Sequence, residues 1–284
     1  MPRDSIVAGP GWGALSRALG DGVVMVVGAG GSGKTHLARW LAAHAATRAA
    51  LVSADVGQPS VGVPACLGLA LRRPWTAPDA MWFVGDVAFG GHVLPVVVGT
   101  ARLVARAQDA GASLVVVDTS GLVAGALGRL LKWHKALAIG ARHVVALQRA
   151  DELEALLGPL GRLATVHRVR PVDVARERSR DERRAWREAR FREELRDAAV
   201  HRFERSHVLG TDWSAGLPPG RDVPARTLVG LLDRDGFCRC VGVVDAVRAR
   251  TIDVAARCED PGAVAWVQLG TLRVDERGVE SRQR

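Results

Sequence analysis

Lysine and tyrosine are the residues that this 284-residue chain most clearly lacks. It has no tyrosine, and only three of its 39 basic residues are lysines: Lys34, Lys132 and Lys135. Arginine supplies the rest of the positive charge, a skew that is typical of a GC-rich genome. The net charge of +9 and the pI near 10.7 nevertheless favour an anionic partner such as nucleic acid.

Paired cysteines and long apolar segments are missing as well. The four cysteines form no C-x-x-C pair and have no histidine at zinc-finger spacing, so we expect reduced, structural thiols. No apolar run approaches the ~20 residues of a membrane span, and the start of the chain lacks the features of a secretory signal. These absences predict a cytoplasmic protein without membrane contact.

One segment matches the phosphate-binding loop pattern G-x-x-x-x-G-K-[ST] at every fixed position: Gly28, Ala29, Gly30, Gly31, Ser32, Gly33, Lys34 and Thr35. An unbroken apolar run over 23–27 predicts a buried parallel strand before it, and helical spacing begins at Lys34. In this context the loop binds the phosphates of a nucleoside triphosphate. Lys34 is then expected to reach the β- and γ-phosphates and the Thr35 hydroxyl to ligate Mg²⁺.

Two further acidic positions follow predicted strands. Asp118 ends the apolar run 114–117, a Walker B arrangement that places its carboxylate beside the magnesium ion. Asp55 and Gln58 follow a predicted strand over 50–53, and ligand groups in parallel sheets lie just past the carboxyl ends of strands. Between these strands, residues 59–80 contain four prolines and several glycines, which predicts a loop.

Alternating strand and helix patterns predict an α/β fold: a P-loop NTPase with a doubly wound, mostly parallel sheet. We expect a lead-in over 1–22, a P-loop kinase domain over 23–204 and a small C-terminal β domain over 205–284, where short strand patterns take over.

The segment 176–196 holds nine arginines and six acidic residues, and it permits two interpretations. One is a solvated helix with i,i+4 pairs such as Arg184 with Glu188. The other is an arginine lid over the triphosphate, because Arg183, Arg187 and Arg190 share a helix face and guanidinium groups stabilise charge in phosphoryl transfer.

These motifs together resemble the polynucleotide 5′-hydroxyl kinase family, which includes the RNA kinase subunit of the eukaryotic mRNA 3′-end cleavage and tRNA-splicing machinery and its archaeal relatives. The likeness rests on the loop, on 53–58 as the family's D-x-D-x-x-Q, on 119–122 as its T-x-G-W clasp, on the arginine-rich lid, and on glycine-containing strands near 230 and 270. Two positions depart from the pattern. Ser53 replaces the first acid, and Leu122 replaces the tryptophan that stacks on a nucleobase. The Thr-x-Gly-Leu form resembles archaeal members more closely.

The resemblance implies transfer of the γ-phosphate of ATP, with Mg²⁺, to the 5′-hydroxyl end of RNA or DNA. Asp55 would accept the hydroxyl proton, or at least orient the oxygen for in-line attack. Arg183 and Arg187 would stabilise the transferring group, and Gln58 and Thr119 would position the acceptor strand. Lys34, Thr35 and Asp118 keep the roles given above. Protein partners are not implied.

Two other functions remain open at this stage. A P-loop GTPase fits the D-x-x-G pattern of 118–121, although 148–151 lacks the Asn and Lys of the guanine-reading N-K-x-D motif. A catalytically weak ATP-binding scaffold fits the substitutions at Ser53 and Leu122. Thermal shifts with ATP and GTP would separate the GTPase, and a transfer assay would separate the scaffold.

Overall fold

The sheet around the phosphate-binding loop contains the predicted parallel strands. The computed structural model describes residues 8–171, 178–210, 216 and 223–282. Seven strands of this part are β1 (Gly22–Gly28), β2 (Ala49–Ala54), β3 (Cys66–Ala70), β4 (Ala80–Phe83), β5 (Leu114–Thr119), β6 (His143–Leu147) and β7 (Thr165–Val169). They lie in the order β4-β3-β2-β5-β1-β6-β7. The last five in this order are parallel to one another, whereas β3 pairs antiparallel with β2 on one side and with β4 on the other.

Helices cover both faces of this sheet. They are α1 (Trp12–Leu19), α2 (Lys34–Ala43), α3 (Val93–Asp109), α4 (Gly125–Ala138), α5 (Glu154–Leu160) and α6 (Arg180–Glu194). Along β1, Val24 and Val26 pack in the core beneath α1 and α2, while Met25 and Val27 pack in the core beneath α3, α4 and α5. The alternation follows from the two-residue period of a strand. The doubly wound, mostly parallel α/β fold is therefore confirmed.

The loop predicted for residues 59–80 is wrong over β3. All five residues of β3 are buried, and the strand pairs with β2 and with β4. Pro64 and Pro74 lie outside β3 rather than within it, so neither removes a hydrogen-bond donor from the ladder. The composition of 59–80 predicted a loop because the prolines of the flanking turns were counted together with the residues of the strand.

The C-terminal strands extend the same sheet. They are β8 (Ala199–Glu204), β9 (Val208–Leu209), β10 (Thr227–Leu232), β11 (Cys238–Val247), β12 (Thr251–Ala256), β13 (Trp266–Val274) and β14 (Glu280–Arg282). The sheet order continues as β14-β13-β10-β11-β4, and β11 reaches β4 through the pair Cys238 and Met81. Phe191 of α6 packs into this part of the core with Leu228 and Leu272.

The predicted division into 1–22, 23–204 and 205–284 stays a prediction. Parts of these segments lie outside the described residues: 1–7, 172–177 (which include 176–177 of the arginine-rich segment), 211–215, 217–222 and 283–284. Across the part of the chain that the structure describes, no helix combines the length and the apolar character that crossing a membrane requires.

Candidate active site

The phosphate-binding loop joins β1 to α2 at the carboxyl edge of the sheet. Gly31 and Gly33 have φ angles of 69° and 87°, left-handed values that glycine adopts without a Cβ clash. The helix α2 begins at Lys34, directly after Gly33. Its first N–H groups and the positive end of its dipole therefore face the loop, which has the geometry of an anion site.

The side chain of Lys34 lies against this loop. Its Nζ donates to the Ala29 carbonyl oxygen at 2.6 Å and to Ser32 Oγ at 3.5 Å. The clasp segment after β5 also touches the loop, since a Cβ added at Gly121 would lie 2.8 Å from the Gly30 nitrogen. Only glycine permits this approach, and the clasp and the phosphate-binding loop therefore form one continuous surface.

Thr35 and Asp118, the predicted magnesium ligands, lie together. Thr35 Oγ1 donates to Asp118 Oδ2 at 2.7 Å, and Ser60 Oγ donates to the same oxygen at 3.0 Å. Asp118 Oδ1 is buried and has no hydrogen-bond partner among the described residues. An unpartnered carboxylate oxygen beside a hydroxyl oxygen is a donor set that suits a hard cation, so the residues present fit Mg²⁺.

Burial also perturbs the Asp118 carboxyl. It raises the pKa of Asp118 above its usual value, because a buried site disfavours the charged form, and the hydrogen bond from Thr35 and the charge of Lys34 act in the opposite direction. A dication at this position would offset the burial cost of the carboxylate.

Asp55 follows β2, the neighbour of β5. Its Oδ1 accepts hydrogen bonds from the backbone N–H of Gly57 at 2.9 Å and of Gln58 at 3.1 Å. Such an aspartate turn holds the carboxylate in one orientation. The sheet register pairs Ser53 with Asp118, which places the turn at the same edge as the phosphate-binding loop.

Ser53 occupies the position where the family pattern has its first acid. Its side chain is fully buried, and its Oγ accepts a hydrogen bond from the Ser60 backbone N–H at 2.9 Å. Ser60 in turn donates to Asp118. The Ser53 side chain thus supports the loop that carries Ser60. Ser60 was not predicted from the sequence, because no motif position marks it.

The predicted acceptor-binding residues differ in their surroundings. Gln58 is half-buried, and its Nε2 is buried without a hydrogen-bond partner within the described residues. Thr119 is buried, and its hydroxyl donates to the Val26 carbonyl at 2.7 Å, so it links β5 to β1. Contact of either residue with an acceptor strand stays a prediction.

Two buried lysines of α4 adjoin the site and were not predicted. Lys132 Nζ donates to the Ser120 carbonyl at 2.8 Å and to Ser120 Oγ at 3.1 Å, and Lys135 Nζ donates to the Ala54 carbonyl at 3.1 Å. Burial lowers the pKa of Lys132 well below its usual value and that of Lys135 to about 8. The one sequence feature that could have pointed to them is the rarity of lysine in this chain.

The arginine-rich segment forms α6, which rests on the C-terminal strands. Ser179 caps the helix in a reciprocal capping box with Glu182. Arg184 pairs with Glu188 at 2.8 Å, as the solvated-helix interpretation expects. Arg187, however, is engaged by both carboxylate oxygens of Glu280, with Nε to Oε2 at 2.7 Å.

Arg187 also lines a cavity of about 380 Å³ with Arg184, Val87, Leu272, Glu280 and Ser281. The Val87 carbonyl lies 3.0 Å from where a Cβ of Gly57 would be, so the cavity wall adjoins the Asp55 turn. Arg190 donates to the Gly62 carbonyl at 3.4 Å, and Arg183 is half-buried on the same helix. The lid role of these arginines stays a prediction.

The fold and this edge define a P-loop nucleotide-binding protein: a strand, glycine loop and helix with an acidic strand end next to the loop hydroxyl. The model of the mRNA cleavage and polyadenylation factor CLP1 P-loop family matches residues 28–195, more than half of the chain. The protein belongs to this family.

Known relatives and structures agree with this assignment. The chain is 25% identical to the polyribonucleotide 5′-hydroxyl-kinase of Pyrococcus horikoshii, over 99% of this chain and 92% of that protein. It is 26% identical to the polyribonucleotide 5′-hydroxyl-kinase of Methanocaldococcus jannaschii, over 90% and 88%. The solved structure of the wild-type Clp1p–Pcf11p complex matches 92% of this chain and 78% of its own with a TM-score of 0.66 at 14% identity, which shows the shared fold.

Proposed function

We propose that this protein is an ATP-dependent polynucleotide 5′-hydroxyl kinase that acts on RNA, on DNA, or on both. The observation that carries the proposal is the convergence of Lys34, the Thr35–Asp118 pair and Asp55 at one edge of the sheet. The archaeal relatives named polyribonucleotide 5′-hydroxyl-kinase support it and make RNA the first acceptor to test.

ATP is the proposed donor. The loop N–H groups and the amino end of α2 would hold its phosphates, with Lys34 turning from the Ala29 carbonyl toward the β- and γ-phosphate oxygens. Thr35 and Asp118 would hold Mg²⁺, which when bound neutralises charge on those oxygens. Ser60 would keep Asp118 in place through its hydrogen bond to Oδ2.

Asp55 is the proposed proton acceptor. The 5′-hydroxyl oxygen of the acceptor forms a bond to the γ-phosphorus, the bond from that phosphorus to the β–γ bridging oxygen breaks, and ADP leaves. The hydroxyl proton goes to Asp55, whose carboxylate the backbone N–H groups of Gly57 and Gln58 hold in one orientation.

Gln58, Thr119 and the lid arginines complete the proposal. The Nε2 of Gln58, which has no hydrogen-bond partner within the described ranges, is a donor suited to an acceptor oxygen. Thr119 would act mainly by fixing the clasp, since its hydroxyl already donates a hydrogen bond to the Val26 carbonyl. Arg183 would stabilise the transferring phosphoryl group, and Arg187 would do so after leaving Glu280.

A single transfer assay tests this function. Wild-type protein is incubated with γ-labelled ATP, Mg²⁺, and 5′-hydroxyl RNA or DNA oligonucleotides of one sequence. The matched control is the same oligonucleotide with a 5′-phosphate. We expect label on the 5′-hydroxyl oligonucleotide only, with RNA labelled at least as fast as DNA.

Two outcomes would replace the proposal. Thermal stabilisation by ATP without any label transfer would indicate the ATP-binding scaffold. Stabilisation by GTP but not ATP, together with GTP hydrolysis, would indicate the GTPase.

A further inference from the structure

All three lysines of the chain lie at the carboxyl edge of the sheet. Lys34 is in the phosphate-binding loop, and Lys132 and Lys135 are one turn apart on α4, facing the sheet. Everywhere else the chain uses arginine as its long-chain cation. In a chain so strongly biased toward arginine, lysine at these three positions indicates a specific requirement for that residue type.

Both α4 lysines are fully buried. Within the residues that the structure describes, neither ammonium has a carboxylate oxygen in salt-bridge range, and their hydrogen bonds go to Ser120 and to the Ala54 carbonyl. Burial of an ammonium group without a direct ion pair is costly. A lysine kept there purely for packing would be easily replaced by an apolar residue.

The charge of the site offsets part of this cost. The negative charges of Asp55 and Asp118 favour the protonated form of both lysines, whereas burial lowers the pKa of each, and Lys34 and the neighbouring lysine lower that of Lys132 further. Both side chains reach the strand ends from the face of the sheet that α4 covers, through their hydrogen bonds to Ser120 and Ala54.

The hydrogen bonds connect these cations to the strand ends that carry the site carboxylates. Ala54 is the last residue of β2 and directly precedes Asp55. Ser120 directly follows β5, the strand that contains Asp118 and Thr119, and precedes Gly121 of the clasp. Each lysine therefore acts on the backbone beside a site residue without touching the site residue's side chain.

We infer that Lys132 and Lys135 are positioning residues of the phosphotransfer site: Lys135 fixes the end of β2 that aims Asp55, and Lys132 fixes the start of the clasp behind Asp118. This inference rests on the proposed kinase function. Arginine would bring a larger, planar guanidinium group to these buried positions, so the two residue types are not interchangeable there.

The test compares Lys132→Met and Lys135→Met with wild type and with Leu131→Ala. Methionine keeps the length and removes the charge, and Leu131 is a fully buried α4 residue whose truncation disturbs the core but removes no hydrogen bond to the strand ends. For each folded variant, kcat and the KM for ATP are measured with a saturating 5′-hydroxyl RNA oligonucleotide, alongside the melting temperature.

We expect kcat to fall by about 10- to 100-fold in each methionine variant, as a displacement of about 1 Å at the reacting groups produces, with the KM for ATP changed less than about threefold. Leu131→Ala should lower the melting temperature more than either methionine variant and leave kcat near wild type. A purely structural role predicts the reverse pattern.

Each other outcome overturns the inference. Active wild type with unchanged kcat in both methionine variants would refute the lysine roles and leave the kinase function intact. If one methionine variant does not fold, the other decides; if neither folds, the lysines are structural. Wild type without transfer to RNA or DNA would refute the kinase function, and the lysine roles with it.

Discussion

The two cationic regions of this protein, the loop edge and α6, use positive charge in opposite ways. At the loop edge the cations are three lysines, buried and bonded to carbonyl and hydroxyl oxygens. On α6 the cations are arginines, and Arg184, Arg187 and Arg190 each have a carboxylate partner. At the edge, Lys34 is thus available for a ligand and Lys132 and Lys135 hold the strand ends, whereas much of the charge on α6 is already neutralised within the protein.

This contrast shows why a high net charge is a poor guide to the site. Arginine pairs on an exposed helix add little stability and bind no ligand while they are paired. Three buried lysines among 39 basic residues carry more information, because buried cations persist only where nearby groups compensate them.

The largest expected effect is at the loop edge itself. Lys34→Ala should reduce transfer to background while the melting temperature stays within a few degrees of wild type, because the change removes the charge proposed to meet the phosphates and leaves no new charge buried. The measurement is label transfer together with thermal melting. Wild-type activity in this variant would show that the site is assigned wrongly.

The next effect tests whether α6 is more than a paired helix. Arg183→Ala should lower kcat by about 10³-fold at saturating ATP, the lower end for arginine fingers, with little change in stability. Arg183→Lys should recover little, since a point charge lacks the two-pronged contact with phosphate. Arg192→Ala, an exposed α6 change, is the control. Equal and mild effects in all three variants would rule out the lid and support the solvated-helix interpretation of α6.

Arg187 needs a matched partner variant because it is ion-paired. Arg187→Ala leaves the buried carboxylate of Glu280 without its ion-pair partner, so it should destabilise the fold by about 3 kcal/mol in addition to any effect on kcat. Glu280→Gln breaks the same pair but keeps the arginine. If Arg187 acts on the phosphoryl group, kcat falls in Arg187→Ala and is retained in Glu280→Gln; equal losses in both variants would assign the pair to structure alone.

A smaller loss is expected for the proton acceptor. Asp55→Asn should lower kcat by about 10²-fold with a minor change in KM for ATP, because the amide keeps the turn but accepts no proton. Asp118→Asn should instead raise the Mg²⁺ concentration needed for half-maximal rate. If Asp118 proves essential for the rate at saturating Mg²⁺ and Asp55 dispensable, the two roles are reversed.

The smallest effect is a pH dependence of stability that belongs to Lys135. Its folded pKa is about 8, below the usual 10.5, so the unfolded chain binds more protons between these values and stability rises with pH there. Lys135→Met lacks this term. Its stability relative to wild type should therefore fall by about 1.4 kcal/mol per pH unit above pH 8, measured by denaturant unfolding at pH 7, 8.5 and 9.5. A pH-independent difference would contradict the burial of a charged Lys135.

Local patterns predicted much of this protein because its main elements are locally encoded. The glycine loop, the apolar runs of β1 and β5, and the acid after each strand are defined by neighbours in sequence, and the sheet edge follows from parallel pairing. Strand β3 escaped prediction because its turns dominated the composition of 59–80, while its burial comes from β2 and β4.

Local patterns were enough to predict the phosphate-binding loop and the strand-end acids Asp55 and Asp118, since each depends on spacing within a few residues, and the alternation of strands and helices predicted the doubly wound class. Two contacts around them could be found only in the folded protein. Lys135 donates to the Ala54 carbonyl, 81 residues away, and Arg187 pairs with Glu280, 93 residues away. Neither contact leaves a local pattern, because it forms only when the sheet order brings distant segments together.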